Sequence, residues 1–141
     1  MKIRFALISL AAAFAVFICG TFSAISAEDI KNPTLKDLQG HWQGTLRVDK
    51  AMVSSGTRTV QMSFSGTKVT YSSETVSYVA KAAINGEEIN ITVASGKRSD
   101  TCKLSKEANT MILNCKWDMA ANPQKNVSKA SSGTMRLEKD K

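Results

Sequence analysis

Residues 76–93 read VSYVAKAAINGEEINITV. Val76, Tyr78, Ala80, Ala82 and Ile84 recur at every second position, with Val79 and Ala83 out of phase. After Asn85-Gly86 the alternation resumes at Ile89, Ile91 and Val93. A period of two puts the apolar side chains on one face of a strand, with polar ones opposite. Asn-Gly between two such runs is a type I′ hairpin signal. A two-residue loop at Asn85-Gly86 sets Ala82 opposite Ile89, Ala80 opposite Ile91 and Tyr78 opposite Val93. A one-residue slip would turn every side chain over, so the match of both apolar sets supports a hairpin with one buried face.

The same pattern extends in both directions. RTVQMSFS (58–65) carries Val60, Met62 and Phe64, and TKVTYS (67–72) carries Val69 and Tyr71. A loop at Ser65-Gly66 sets Phe64 opposite Thr67, Met62 opposite Val69 and Val60 opposite Tyr71. TCKLS (101–105) and MILNCKW (111–117) form a third pair. A four-residue loop, Glu107 to Thr110, sets Leu104 opposite Leu113 and Cys102 opposite Cys115. Opposed residues on antiparallel neighbours lie about 4.5–5.5 Å apart, within disulfide reach. A Cys102–Cys115 bridge is therefore predicted. A redox-active pair is the rival, but the chain has no CxxC motif.

HWQGTLRV (41–48) and TMRLE (134–138) bring the strand count to eight. Successive hairpins without a crossover helix predict an all-β, eight-stranded antiparallel up-and-down barrel. Closure removes the two exposed edges of an open sheet. A two-sheet β-sandwich is the alternative. Residues 118–133, DMAANPQKNVSKASSG, form the one long connection, of a length that is often functional.

The N-terminus has a different character. Lys2 and Arg4 precede an apolar run from Phe5 to Gly20, followed by the small residues Ala24, Ser26 and Ala27. That order is a secretory signal peptide, 1–27, with cleavage after Ala27 and, as alternatives, after Ser26 or Ala24. The rival readings are an uncleaved anchor, for which the run is shorter than the ~20 residues a spanning helix needs, and a lipoprotein at Cys19, which Ile18 disfavours. Residues 28–39 then form a lead-in, with Thr34 as N-cap and Asp37 three positions on. Residues 40–141 form the barrel domain.

Removing Lys2 and Arg4 from the 19 basic residues leaves 17 against 12 acidic ones, a net charge of +5 on the mature chain. The charges are scattered rather than clustered, which argues against a nucleic-acid partner. They remain compatible with an acidic surface such as a bacterial envelope. With a bacterial host assumed, the protein is expected to be exported, to the periplasm or beyond, with no stable membrane insertion after cleavage. The sequons at Asn90 and Asn126 matter only in a eukaryotic host.

Gly40-His41-Trp42 opens the first long strand of this small secreted barrel. The motif and the strand pattern resemble the lipocalins and the wider calycin group. In that family the tryptophan closes one end of the barrel and a basic residue of the last strand packs over it. The resemblance implies those roles for Trp42 and Arg136. The chain is shorter than an ordinary lipocalin, and the family's middle motif and C-terminal helix have no counterpart, so no ligand carries over.

Catalytic constellations are not legible. The one histidine, His41, alternates against Trp42 and is read as solvated. Glu87-Glu88 adjoins a turn, and the five methionines after the signal lie mostly in apolar phase. No metal ligand set and no cofactor site is expected. Two non-enzymatic readings follow. In the first, the barrel interior holds a small apolar molecule, with Ala80 and Ala82 leaving room beside Tyr71, Tyr78, Ile89 and Ile91. In the second, the protein is an interaction module or enzyme inhibitor of the cell envelope, meeting an envelope or host protein through the 118–133 loop and the basic surface. Lys125, Asn126 and Lys129 are then the contacts.

Overall fold

In chain order the elements are β1 (Glu28–Asp29), α1 (Leu35–Leu38), β2 (Gly40–Lys50), β3 (Gly56–Ser65), β4 (Lys68–Ser73), β5 (Ser77–Asn85), β6 (Glu88–Val93), β7 (Arg98–Glu107), β8 (Thr110–Met119) and β9 (Ser131–Lys139). They come from a computed structural model that describes residues 25–50, 56–74, 76–93, 95, 97–120 and 130–141. From β2 to β9 each strand pairs antiparallel with the next, and β9 returns to pair with β2. The result is a closed eight-stranded up-and-down barrel, the general shape of a lipocalin-like barrel. The two-sheet alternative is set aside by the β9–β2 ladder, which runs from Trp42↔Lys139 to Lys50↔Ser132.

Alternation follows the expected phase. Val60, Met62, Phe64, Val69, Tyr71, Ala80, Ala82, Ile89, Ile91, Cys102, Leu104, Leu113, Cys115, Trp117, Met135 and Leu137 all point inward and are buried. Each Leu- or Ile-sized side chain so buried contributes about 1.5–3 kcal/mol. Two hairpin loops lie one residue later than the sequence suggests. Ser65 pairs with Lys68 and Asn85 with Glu88, so the loops are Gly66-Thr67 and Gly86-Glu87. Phe64 therefore faces Val69 and Met62 faces Tyr71, while Ala82 faces Ile91 and Ile84 faces Ile89.

The physical reason lies in the glycines. Gly66 and Gly86 have φ of 61° and 62° and stand first in their loops. That is the glycine position of a type II′ turn rather than the second position of a type I′ turn. Moving a loop by one residue shifts the pairing by two, so the buried face is unchanged. The third hairpin has the expected register, Leu104↔Leu113 and Cys102↔Cys115. The two cysteines are joined in a buried disulfide, with Cα atoms 4.0 Å apart.

The lead-in is built as its residues suggest. Thr34 caps α1 in a reciprocal capping box with Asp37. Upstream, β1 adds to the edge of β7 that β6 leaves free, pairing Glu28 with Lys106 and Asp29 with Ser105. Among the described residues, no helix is long and apolar enough to cross a membrane. The expected signal peptide falls largely on residues 1–24, outside the described residues.

Candidate functional site

The barrel has two unlike ends. At one, α1 and the three short hairpins meet the start of β2. Trp42 is fully buried there; its Nε1 donates to the Leu38 carbonyl at 2.7 Å, and its ring stands edge-on to Phe64. Leu38 itself is fully buried. The cation over this tryptophan is Lys139, with Nζ 5.7 Å from the ring centroid and donating to the Asp37 carbonyl at 2.8 Å. Arg136, the expected partner, is not there. It pairs with Thr45 and points outward, making ion pairs with Glu107 at 2.8 Å and Glu138 at 3.7 Å. Parity explains the correction: Met135 and Leu137 point inward, so Arg136 between them points out, and Lys139 shares the phase of Leu137.

At the other end lie the last residues of β2, β4, β6 and β8 and the first residues of β3, β5, β7 and β9. Here the interior turns polar. Arg98, the first residue of β7, is 5% exposed, and Asp100 is 2% exposed. Arg98 Nε donates to Asp100 Oδ1 at 2.9 Å, and one terminal nitrogen reaches Met135 Sδ at 3.4 Å. The guanidinium lies 4.6 Å from the Tyr71 ring centroid, 5.3 Å from that of Tyr78 and 5.1 Å from that of Trp117. Tyr71 and Tyr78 stack at 4.5 Å, directly opposed on β4 and β5. Trp117 donates from Nε1 to the Arg47 carbonyl, and its indole passes over Gly133, where a Cβ would overlap both the ring and that carbonyl.

Burial sets the protonation here. It pushes the Tyr78 phenol up, with Arg98 pulling back only in part. It also raises the Asp100 carboxyl despite the adjacent guanidinium. Arg98 would be lowered by burial alone, but Asp100 holds it protonated. Taking two ions out of water costs several kcal/mol each, so such a pair is poor evidence of stabilisation. Two further groups stand out. Ser73 Oγ and Tyr78 Oη are buried at the atom and make no well-formed hydrogen bond among the described residues, although the Arg98 guanidinium comes close enough to the Tyr78 phenol to offset part of its burial. An unsatisfied buried hydroxyl costs about 1–3 kcal/mol.

Of the residues expected to touch a ligand, Tyr71 and Tyr78 come together at this site. Ala80, Ala82, Ile89 and Ile91 lie deeper and are packed in the core, between 0 and 5% exposed. Trp117 sits at this end, as a strand-end aromatic should. Arg98, Asp100 and Ser73 were not legible as site residues, although Arg98 and Asp100 stand in phase with Cys102 and Leu104. Lys125, Asn126 and Lys129 lie outside the described residues.

Some cavities bounded by described residues lie on the outer wall. The one of about 650 Å³ is lined by Thr45, Arg47, Lys103, Lys116 and Arg136 among others. Its cations are largely balanced: Arg47 pairs with Asp49 at 3.1 Å, Arg136 with Glu107, and Lys103 stands opposite Glu88. His41 is exposed on the outer wall too, hydrogen-bonded to Ser63 Oγ at 2.6 Å.

No family model matches the chain, and neither a curated protein nor a solved structure is significantly similar to it.

Proposed function

We propose that this is an exported, non-enzymatic binding protein that holds one small molecule at the loop end of its barrel. The observation that carries the reading is that two buried hydroxyls at this end, Ser73 Oγ on β4 and Tyr78 Oη on β5, make no hydrogen bond among the described residues, Tyr78 lying against the guanidinium of the buried Arg98–Asp100 pair. A polar cluster of this kind lowers stability unless something completes it. A bound molecule with one polar group and an apolar body completes it, hydrogen-bonding the hydroxyls while its body lies against Tyr78, which is only partly buried. The expectation of a wholly apolar ligand deep beside Ala80 and Ala82 gives way to a polar-headed one nearer the loops.

Binding without chemistry fits the residues present. Ser73 has no hydrogen-bonded base, and the lone histidine lies on the outer wall. Among the described residues, no group of three His, Cys, Asp or Glu is placed to hold a metal. The disulfide suits an oxidising compartment, as export requires. The barrel shape and the Gly40-x-Trp42 plug support a carrier, as the lipocalin resemblance implies.

Native mass spectrometry of the mature protein, purified from its own cell envelope with the disulfide intact, tests the reading. The expected result is a reproducible added mass of one small organic molecule, reduced in the Ser73→Ala/Tyr78→Phe double variant. A bare protein mass would overturn it and turn attention to residues 118–133 and a protein partner.

A further inference from the structure

We infer that the molecule bound at the loop end presents an uncharged polar head, an amide, carbonyl or hydroxyl, to Ser73 and Tyr78. This rests on the binding reading above and asks only what the site admits. Arg98 and Asp100 are 2.9 Å apart and almost fully buried, so their charges cancel before any ligand arrives. An added carboxylate would leave a net negative charge in a water-poor interior, beside an Asp100 that burial already disfavours in its ionised form. An added cation meets a different obstacle. Arg98 already stands over the rings of Tyr71, Tyr78 and Trp117 and would repel it.

A neutral head asks only for hydrogen bonds. Each of the two hydroxyls can donate one proton and accept in return. Burial keeps the Tyr78 phenol protonated throughout the working range, so its donor persists. The geometry therefore selects on charge first and shape second. A buried polar group left unpaired by the wrong ligand makes that selection steep.

Three monosubstituted benzenes separate the possibilities, the isosteric pair benzamide and benzoate and the apolar toluene, titrated at neutral pH into the full mature protein and followed by calorimetry and by chemical shifts of the Ser73 and Tyr78 amides. Benzamide is expected to bind at least about tenfold more tightly than benzoate, whose charge the site must desolvate. Tyr78→Phe and Ser73→Ala, made separately, remove a hydroxyl without adding bulk. Each is expected to lower benzamide affinity toward that of toluene. Benzoate binding as tightly as benzamide, with the shifts at this site, would overturn the neutral-head inference and leave the binding reading standing. An unchanged benzamide affinity in both variants would also overturn it. No shift at Ser73 or Tyr78 with any probe would overturn both.

Discussion

The two ends of this barrel are both built on a tryptophan and a cation, yet they spend them differently. At the helix end Trp42 is fully buried, its one donor is satisfied by Leu38, and Lys139 covers its ring from the surface. Among the described residues, no buried side-chain polar atom there lacks a partner. At the loop end the cation is inside, Trp117 shares it with two tyrosines, and two buried hydroxyls make no hydrogen bond among the described residues. The first arrangement is what a plug requires. The second is a poor plug, because desolvated ions and orphaned hydroxyls oppose folding. This contrast between the two ends underlies the proposal of a bound molecule.

The largest effects test whether each end depends on what has been assigned to it. Trp42→Ala should cost about 3–5 kcal/mol in denaturant unfolding, since it empties the plug. Asp100→Ala should cost about as much, roughly 3–5 kcal/mol, because it strands the buried Arg98 charge. The contrast appears on replacing both partners. Arg98→Met with Asp100→Leu should leave stability within about 1 kcal/mol of the parent or raise it, as buried pairs exchanged for apolar residues often do. A loss as large as that of Asp100→Ala would make the loop end structural after all.

Smaller effects sharpen the account of the plug. Lys139→Ala should cost about 0.5–1 kcal/mol, the value of an exposed cation–π contact. Arg136→Ala should change stability by less than about 0.5–1 kcal/mol, as outward ion pairs do. Acid distinguishes the ends by sign. Hydrogen bonds from the Thr34 hydroxyl and then the Thr34 backbone N–H hold Asp37 below its ordinary 3.8. Its contribution is present above that value and is lost as pH falls through the lowered one. Asp100 is raised, so its contribution is full below 3.8 and is lost as pH rises through the raised value. Asp37→Asn should therefore flatten the acid loss of stability between about pH 5 and 3, while the Arg98→Met/Asp100→Leu protein should steepen it.

Much of the fold was legible because alternation and hairpin parity are strong constraints. The disulfide followed from register alone. Loop positions differ by one because Asn-Gly and Ser-Gly mark a turn without saying whether the glycine stands first or second in the loop. The lipocalin resemblance points to Arg136, but the parity of TMRLE turns it outward, and Lys139, in the inward phase, lies over Trp42. The candidate site was legible only in Tyr71 and Tyr78. Arg98 and Asp100 follow Gly96-Lys97, so charged residues after a turn read as loop, and the sequence pattern shows the strand only from Thr101. Their phase with Cys102 and Leu104 was the available signal. Whether a polar atom finds a partner depends on distances across strands, which no sequence pattern supplies.

The central claim is that Ser73 and Tyr78 keep their hydroxyls for a ligand and not for the fold. The most direct measurement is the unfolding free energy of ligand-free Ser73→Ala/Tyr78→Phe protein against the parent, in the same buffer with the disulfide intact. The account predicts a variant at least as stable as the parent, by up to about 1–3 kcal/mol per hydroxyl freed from burial. A variant less stable by more than about 1 kcal/mol would contradict it, because a lost hydrogen bond of the fold costs that much.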